Sequence, residues 1–215
     1  MLDSRIQPLL RPLLERAARR LGALGCTADG VTLAGFALGL AAALAIAFEA
    51  YVLGLVLLLA SRLADGLDGA LARLTQPTDR GGFLDIVLDF IFYAAIPLGF
   101  AVADPARHAL PACVLLASFI GTGSSFLAFA ALAEKRGMAS LALPDKSFYF
   151  VGGLTEATET IGCFALMCLW PAAFAQLAYG FAALCALTAL ARVWWGWRAF
   201  APEPEESTEP VSRRP

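Results

Sequence analysis

The sequence predicts an all-α membrane protein, with six transmembrane helices preceded by an N-terminal amphipathic helix lying in the membrane interface. Three observations predict it. Apolar residues make up 59% of the 215 positions and charged ones 16%, too apolar a balance for a soluble domain of this length. The apolar residues fall into six runs separated by short polar turns, each near the roughly 20 residues that cross a hydrocarbon core. If the N-terminus is cytoplasmic, fifteen of the sixteen Lys and Arg lie on the cytoplasmic side, Arg107 being the exception, as the positive-inside rule requires.

The elements follow in order. Residues 1–22 place Leu2, Ile6, Leu9, Leu13, Ala17 and Leu21 at helical spacing, with Arg5, Arg11, Arg16, Arg19 and Arg20 between them. That is the pattern of a helix lying on anionic headgroups. Pro8 and Pro12 act against its continuity, since each removes a backbone N–H. After G-C-T-A-D-G, where Thr27 or Asp29 can cap a helix, the first span covers residues 31–47 and carries the close-packing pair Gly35 and Gly39. Glu49 marks a turn. The second span, residues 51–73, delivers Arg62, Asp65, Asp68 and Arg73 at its end, and the third, residues 83–102, opens with Asp85 and Asp89. A turn at residues 104–108 leads to spans over residues 110–133, 147–169 and 172–199. Trp194, Trp195 and Trp197, beside Arg192 and Arg198, form an interfacial anchor. The chain thus divides into the interfacial helix (1–22), a six-helix membrane domain (23–200) and a tail (201–215) rich in Pro, Glu and Ser, expected to be disordered.

Several chemistries are excluded at this stage. The five cysteines contain no C-x2-C pair, and four lie in apolar runs as packing residues. His108 is the only histidine and sits in a short polar loop, which argues against a histidine-based metal site or nucleophile dyad. The N-terminus has no continuous apolar region of the signal-peptide kind. No nucleic-acid partner is expected.

The chemistry is concentrated between Asp65 and Asp89, in D-G-L-D-G-A-L-A-R-L-T-Q-P-T-D-R-G-G-F-L-D-I-V-L-D. At about 100° per residue, Asp65, Asp68, Gly69, Ala72 and Arg73 share one arc of a helix, and Asp85 and Asp89 share a face of the next. The intervening T-Q-P-T-D-R-G-G has the turn chemistry to fold one helix back on the other, bringing four carboxylates to one point. Left unpaired at a membrane boundary they would cost on the order of 10 kcal/mol, at about 2.5–3.5 kcal/mol each. A pair of divalent cations removes that cost, and hard carboxylate ligands suit Mg²⁺ or Mn²⁺. Two such ions can clamp a diphosphate. Gly69 and Ala72 leave room for a bulky ligand, and Arg73 offers planar donors to phosphate oxygens.

The pattern D-x2-D-G-x2-A-R…G-x3-D-x3-D, met as Asp65, Asp68, Gly69, Ala72, Arg73, Gly81, Asp85 and Asp89, resembles the signature of the CDP-alcohol phosphatidyltransferase (class I) family. One departure is visible: seven residues separate Arg73 from Gly81, one fewer than in many members, and the deletion falls in the turn. Two later stretches, F-I-G-T-G-S-S-F-L-A-F-A-A-L-A and K-S-F-Y-F-V-G-G-L-T-E-A-T-E-T, resemble a small bacterial inner-membrane subgroup. The resemblance implies transfer of a phosphatidyl group from a CDP-diacylglycerol-type lipid to a small alcohol, with release of CMP, at a cytoplasm-facing site of the inner membrane. It implies Asp65, Asp68, Asp85 and Asp89 as ligands of two cations, with Asp89 also the general base. Gly69, Ala72, Arg73 and Gly81, with Asp65, would shape the nucleotide and diphosphate site. Lys146, at the start of the fifth span, resembles a basic residue common there in the family, and the family's dimeric habit makes a homodimer the expected assembly.

Three other readings compete. A cation transporter or channel would explain the intramembrane acids, including Glu156 and Glu159, but does not require Gly69, Ala72 and Arg73 at fixed spacing. A prenyl-diphosphate enzyme lacks its adjacent-Asp motif here. Solvated helix ends would explain Asp79 and Asp65, not four aspartates together. Last, Glu156 and Ser124 each lie about 14 Å from the cytoplasmic edge of an uninterrupted helix, at 1.5 Å per residue. Depth-matched in this way, they would clamp two helices together, Glu156 bonded to Ser124 or Ser125, or Glu156 would line the acceptor cavity.

Overall fold

The computed structural model describes residues 3–138 and 155–201, and every regular element among them is helical. The helices are α1 (Asp3–Ala23), α2 (Ala28–Ala47), α3 (Tyr51–Leu74), α4 (Asp79–Ala103), α5 (Pro105–Lys135), α6 (Ala157–Leu169) and α7 (Phe174–Ala199), with a 3₁₀ turn at Pro171–Ala173 before α7. Lys146, the first part of the expected fifth span and the tail from 202 onward lie outside the described residues.

Local chemistry sets the helix starts. The Thr27 side chain accepts from the Gly30 N–H at 3.2 Å and begins α2. Thr78 does the same for α4, accepting from the Gly81 N–H at 3.1 Å. That cap starts α4 at Asp79, earlier than the apolar run suggests, and shortens the connection from α3 to Thr75–Thr78. Asp104 accepts from the Arg107 N–H at 3.1 Å, with Pro105 at the first helical position of α5. The expected turn at 104–108 is therefore a single junction residue. His108 is correspondingly not in a polar loop: it is buried in the first turn of α5, its Nδ1 3.2 Å from the Phe100 carbonyl oxygen and its ring 4.7 Å from that of Phe174. Glu49, with φ +60°, breaks the chain between α2 and α3.

By length and composition, α2, α4, α5 and Pro171–Ala199 can cross a membrane. At 24 residues α3 is as long, but its second half carries Arg62, Asp65, Asp68 and Arg73. The described part of the expected fifth span is α6, a shorter apolar helix.

Small residues set the close packing. Gly35 lies against Ala64 and the Ser61 carbonyl of α3, and Gly39 against Phe92 of α4, so the glycine pair serves contacts within the chain. Gly99 of α4 rests on the Ala43 backbone of α2. The resulting core runs through Ile46, Leu58, Phe92, Ile96, Phe100, Leu115, Phe164, Met167 and Phe174. On the other side of the bundle α5 packs along α7, and Arg192 ties them by donating to the Thr122 carbonyl at 2.9 Å. Helix α1 runs unbroken through Pro8 and Pro12, as the helical spacing of its apolar residues predicts. Beyond them, Ala18 is buried against Ala70 and Leu71 of α3, and Leu14 adjoins them.

The fifth-span reading needs correction. Glu156 does not lie deep within a continuous helix: it has extended backbone (φ −113°, ψ −175°) and is the N-cap residue of α6. The Glu159 carboxylate accepts from the Glu156 N–H at 3.2 Å, closing the first turn. Ser124 is exposed, and its hydroxyl goes to the Gly121 carbonyl at 3.4 Å, while that of Ser125 goes to the Thr122 carbonyl at 3.0 Å. Helix α6 packs mainly on α3 and α7 rather than α5. One polar contact across this seam is Thr155 to Thr188, 3.2 Å between hydroxyl oxygens.

Candidate metal centre and cleft

The α3–α4 hairpin builds the site. Helical spacing on α3 puts Asp65 and Asp68 on one face, and the short Thr75–Thr78 connection returns α4 so that Asp85 meets them. Ligand oxygens of Asp65, Asp68 and Asp85 all lie within 4.8 Å of one another. Asp68 is 5% exposed, and its Oδ2 is buried with no hydrogen-bond partner. An unpartnered buried carboxylate oxygen is strongly disfavoured unless a cation satisfies it. Two further carboxylates within reach make the donor set one that fits a hard divalent ion.

Asp89, one helical turn along α4, stands outside this group. Its Oδ1 accepts from Arg62 Nη1 at 2.7 Å, and the same nitrogen lies 3.4 Å from Asp65 Oδ1. The Arg62 side chain is 10% exposed. Its guanidinium stacks over the Phe92 ring, 3.8 Å from the centroid, and its Nη2 reaches Ser61 Oγ at 3.3 Å. Sequence reasoning saw Arg62 only as part of the α3 charge group. The signal that could have found its role was position: it precedes Asp65 by three residues, so it shares a face with that aspartate.

Beside the three carboxylates opens a cleft of about 490 Å³ between the start of α2, the end of α3 and the start of α4. Asp68, Gly69, Ala72, Arg73, Gly81 and Asp85 all line it. A Cβ added at Gly69 would meet only the Arg73 Nη1, at 3.4 Å, so this position opens onto the cleft. At the mouth, Asp29 of α2 accepts from Arg80 of α4 at 3.0 Å (Nε) and 2.5 Å (Nη2), a pair that sequence spacing alone could not connect. Glu156 and Ser124 do not line this cleft.

Three solved or curated relatives frame this geometry. Mycobacterium tuberculosis phosphatidylinositol phosphate synthase (PgsA1) with CDP-DAG bound matches with a TM-score of 0.65 at 23% identity, over 90% of this chain and 99% of that one. PgsA1 in complex with manganese and citrate gives 0.63 at 23% identity, over 89% and 93%. At that identity the likeness is one of fold. Archaetidylinositol phosphate synthase of Pyrococcus horikoshii is 33% identical over 118 residues, 54% of this chain and 63% of that protein. The inner membrane protein YnjF of Escherichia coli (strain K12) is 54% identical over 197 residues, 92% of this chain and 96% of that protein. With the long apolar helices, that relationship marks a multi-pass membrane protein. Residues 26–197, which contain the whole aspartate motif, match the CDP-alcohol phosphatidyltransferase profile, and the chain belongs to that family.

Proposed function

We propose that this protein transfers a phosphatidyl group from a CDP-linked lipid to a small alcohol and releases CMP. The observation that carries the reading is the junction of two features: three carboxylates within 4.8 Å of one another, and a cleft of about 490 Å³ that two of them, Asp68 and Asp85, line. In this reading Asp65, Asp68 and Asp85, with Asp89 as the family's fourth ligand, hold two ions of Mg²⁺ or Mn²⁺. When bound, such ions neutralise the diphosphate and the departing CMP. Gly69 and Ala72 leave the α3 face open to the nucleotide. Arg73 and Gly81 border the diphosphate, Arg73 with a planar donor set. The acceptor oxygen forms a bond to the lipid-bearing phosphorus as the phosphorus–oxygen bond to CMP breaks, and the hydroxyl proton passes to the Asp89 carboxylate.

The same reading places six crossings in a bacterial inner membrane, formed by α2 to α5, the expected fifth span, whose described part is α6, and α7. Both termini and the cleft face the cytoplasm, because the basic residues then follow the positive-inside rule. The full α3, about 36 Å at 1.5 Å per residue, is long enough for this despite its charged end. The solved relative, seen once with CDP-DAG bound and once in complex with manganese and citrate, supports the donor and the metal class. Two relatives are named for inositol phosphate products, which puts a phosphorylated polyol first in the panel of acceptors. A homodimer is the assembly this reading carries.

The test is incubation of the purified protein with CDP-diacylglycerol, Mg²⁺ or Mn²⁺ and a panel containing inositol phosphate, glycerol phosphate and serine, following CMP. Acceptor-dependent CMP release is expected. Ion flux in vesicles with no CMP release from any pairing would replace this reading with that of a cation transporter.

A further inference from the structure

We propose that the outer edge of α1 binds anionic lipid, and that this contact regulates turnover by seating α1 against the aspartate-bearing turn of α3. The inference rests on the transferase reading for its activity readout and adds a partner and a regulatory contact to it.

Sequence spacing lays α1 on the membrane; the structure divides its surface into two edges. One edge faces the bundle, where Ala18 is buried against Ala70 and Leu71 of α3. A Cβ built at Gly66 would stand 3.2 Å from Leu14 Cδ1, so Leu14 rests on α3 between Asp65 and Asp68. The other edge is open. At about 100° per residue, Leu13, Arg16 and Arg20 share one arc, which Leu24 continues just past the helix end. All four are exposed, the two leucines by 64% and 79%. Leucines that bracket arginines suit a headgroup boundary, the apolar side chains dipping in and the guanidiniums meeting phosphates.

Charge and position agree with an anionic bilayer surface as the occupant. Glu15 is the one acid in residues 11–23, and it is paired with Arg11 at 2.8 Å. Residues 24–27 join α1 to α2 over at most about 18 Å, and α2 is long and apolar enough to cross a membrane. The open edge therefore lies within reach of the bilayer surface. A mere anchor would add little, since four such helices already hold the chain in a membrane. Control is what α1 can add, because its seat is weak. Among the described residues, two alanines and a leucine are the buried part of that seat, so burial alone holds α1 loosely. Two arginines at an anionic surface shift the seated population by roughly thirtyfold.

The experiment uses the full-length protein in nanodiscs of phosphatidylcholine, alone or with about one third phosphatidylglycerol, at saturating Mg²⁺. Hydrogen exchange of residues 11–23 and 64–74 is followed with no nucleotide present, and CMP release is measured with CDP-diacylglycerol and an alcohol. Charged lipid is expected to slow exchange of both segments about tenfold. It should raise kcat about tenfold, with KM for the donor within about twofold. Arg16→Gln/Arg20→Gln should show neither response, and Arg16→Lys/Arg20→Lys should restore both, because charge is the shared property. Leu14→Ala should lower kcat in both bilayers and remove its dependence on lipid charge. Equal exchange and kcat of the wild type in the two bilayers overturns the proposal, as does slowed exchange with unchanged kcat. A response that survives Arg16→Gln/Arg20→Gln overturns it too. Activation by soluble polyglutamate but not by charged lipid replaces the lipid with an acidic protein partner, and so overturns it as well. A wild type that releases no CMP with any alcohol overturns the transferase reading instead, and exchange of residues 64–74 still decides whether charged lipid seats α1.

Discussion

The ring of Phe92 fills the space that a side chain at Gly39 would need: a Cβ at Gly39 would stand 2.5 Å from Phe92 Cδ2 and 3.0 Å from Ser61 Oγ. Phe92 in turn carries the Arg62 guanidinium, which holds Asp89. A glycine in the middle of α2 is thus linked through packing to a carboxylate of the site. Gly39→Ala should destabilise the protein by about 1–3 kcal/mol, the usual effect of overpacking. It should also lower kcat while leaving CDP-lipid KM unchanged. Thermal unfolding in detergent and CMP release measured on the same samples check both parts. A variant with wild-type melting temperature would show that Phe92 can move aside.

Gly69 is the opposite case. With only the flexible tip of Arg73 near its added Cβ, Gly69→Leu should fold with a melting temperature close to wild type. Its side chain would project into the cleft, and binding of the CDP-lipid should weaken by about a hundredfold or more, equivalent to about 2.7 kcal/mol. Nucleotide-lipid binding by calorimetry, with Gly39→Ala as the packing control, separates a filled cleft from a disturbed fold. Normal binding by Gly69→Leu would move the nucleotide site elsewhere.

Asp68 supplies a test by metal removal. Its buried, unpartnered Oδ2 disfavours the ion-free protein, so Asp68→Asn should raise melting temperature in chelator, by an amount reflecting about 1–3 kcal/mol. The sign reverses with metal present. Wild type should gain stability on addition of Mn²⁺, by RT ln(1 + [L]/Kd), and lose it reversibly on chelation, whereas Asp68→Asn should gain little and turn over nothing. Equal stabilisation of both proteins by Mn²⁺ would remove Asp68 from the metal site.

The meeting of Asp65, Asp68 and Asp85 was legible in the sequence because it depends on two regularities: helical spacing and a short turn between consecutive helices. The small-residue face of α3 was legible for the same reason. The Arg62–Asp89 pair was less so, since spacing ties Arg62 to Asp65 on its own helix but says nothing of a partner across the hairpin. Asp29 and Arg80, 51 positions apart, meet because two threonine-capped helix starts converge, a tertiary fact with no local trace. The placement of Glu156 deep within one long helix failed for another reason. Apolar flanks suggested one long helix, whereas Glu156 and Glu159 stand three apart and carry a helix-start signature that competes with it. His108 was misplaced by polarity alone: its ring is amphipathic, and one hydrogen bond to the Phe100 carbonyl lets it be buried.

The Asp29–Arg80 pair allows a prediction in which two electrostatic effects add for one partner and oppose for the other. Arg80 is 81% exposed on its side chain and Asp29 23%, so the ion pair itself contributes about 0–1 kcal/mol. Asp29 also lies in the first turn of α2, where a negative charge is favoured by the helix dipole by about 0.3–1 kcal/mol. Arg80 lies in the first turn of α4, where a positive charge is disfavoured by a similar amount. Asp29→Ala loses both favourable effects and should destabilise by about 1 kcal/mol. Arg80→Ala loses the pair but relieves the dipole, and should be close to neutral. The gap between the two variants should narrow as ionic strength rises from about 0.01 M to 1 M and screening shortens from about 30 Å to about 3 Å. Melting temperatures of both variants at the two salt concentrations check the ordering. Equal losses that persist at high salt would mean that the pair acts through packing at the mouth of the cleft, not through charge.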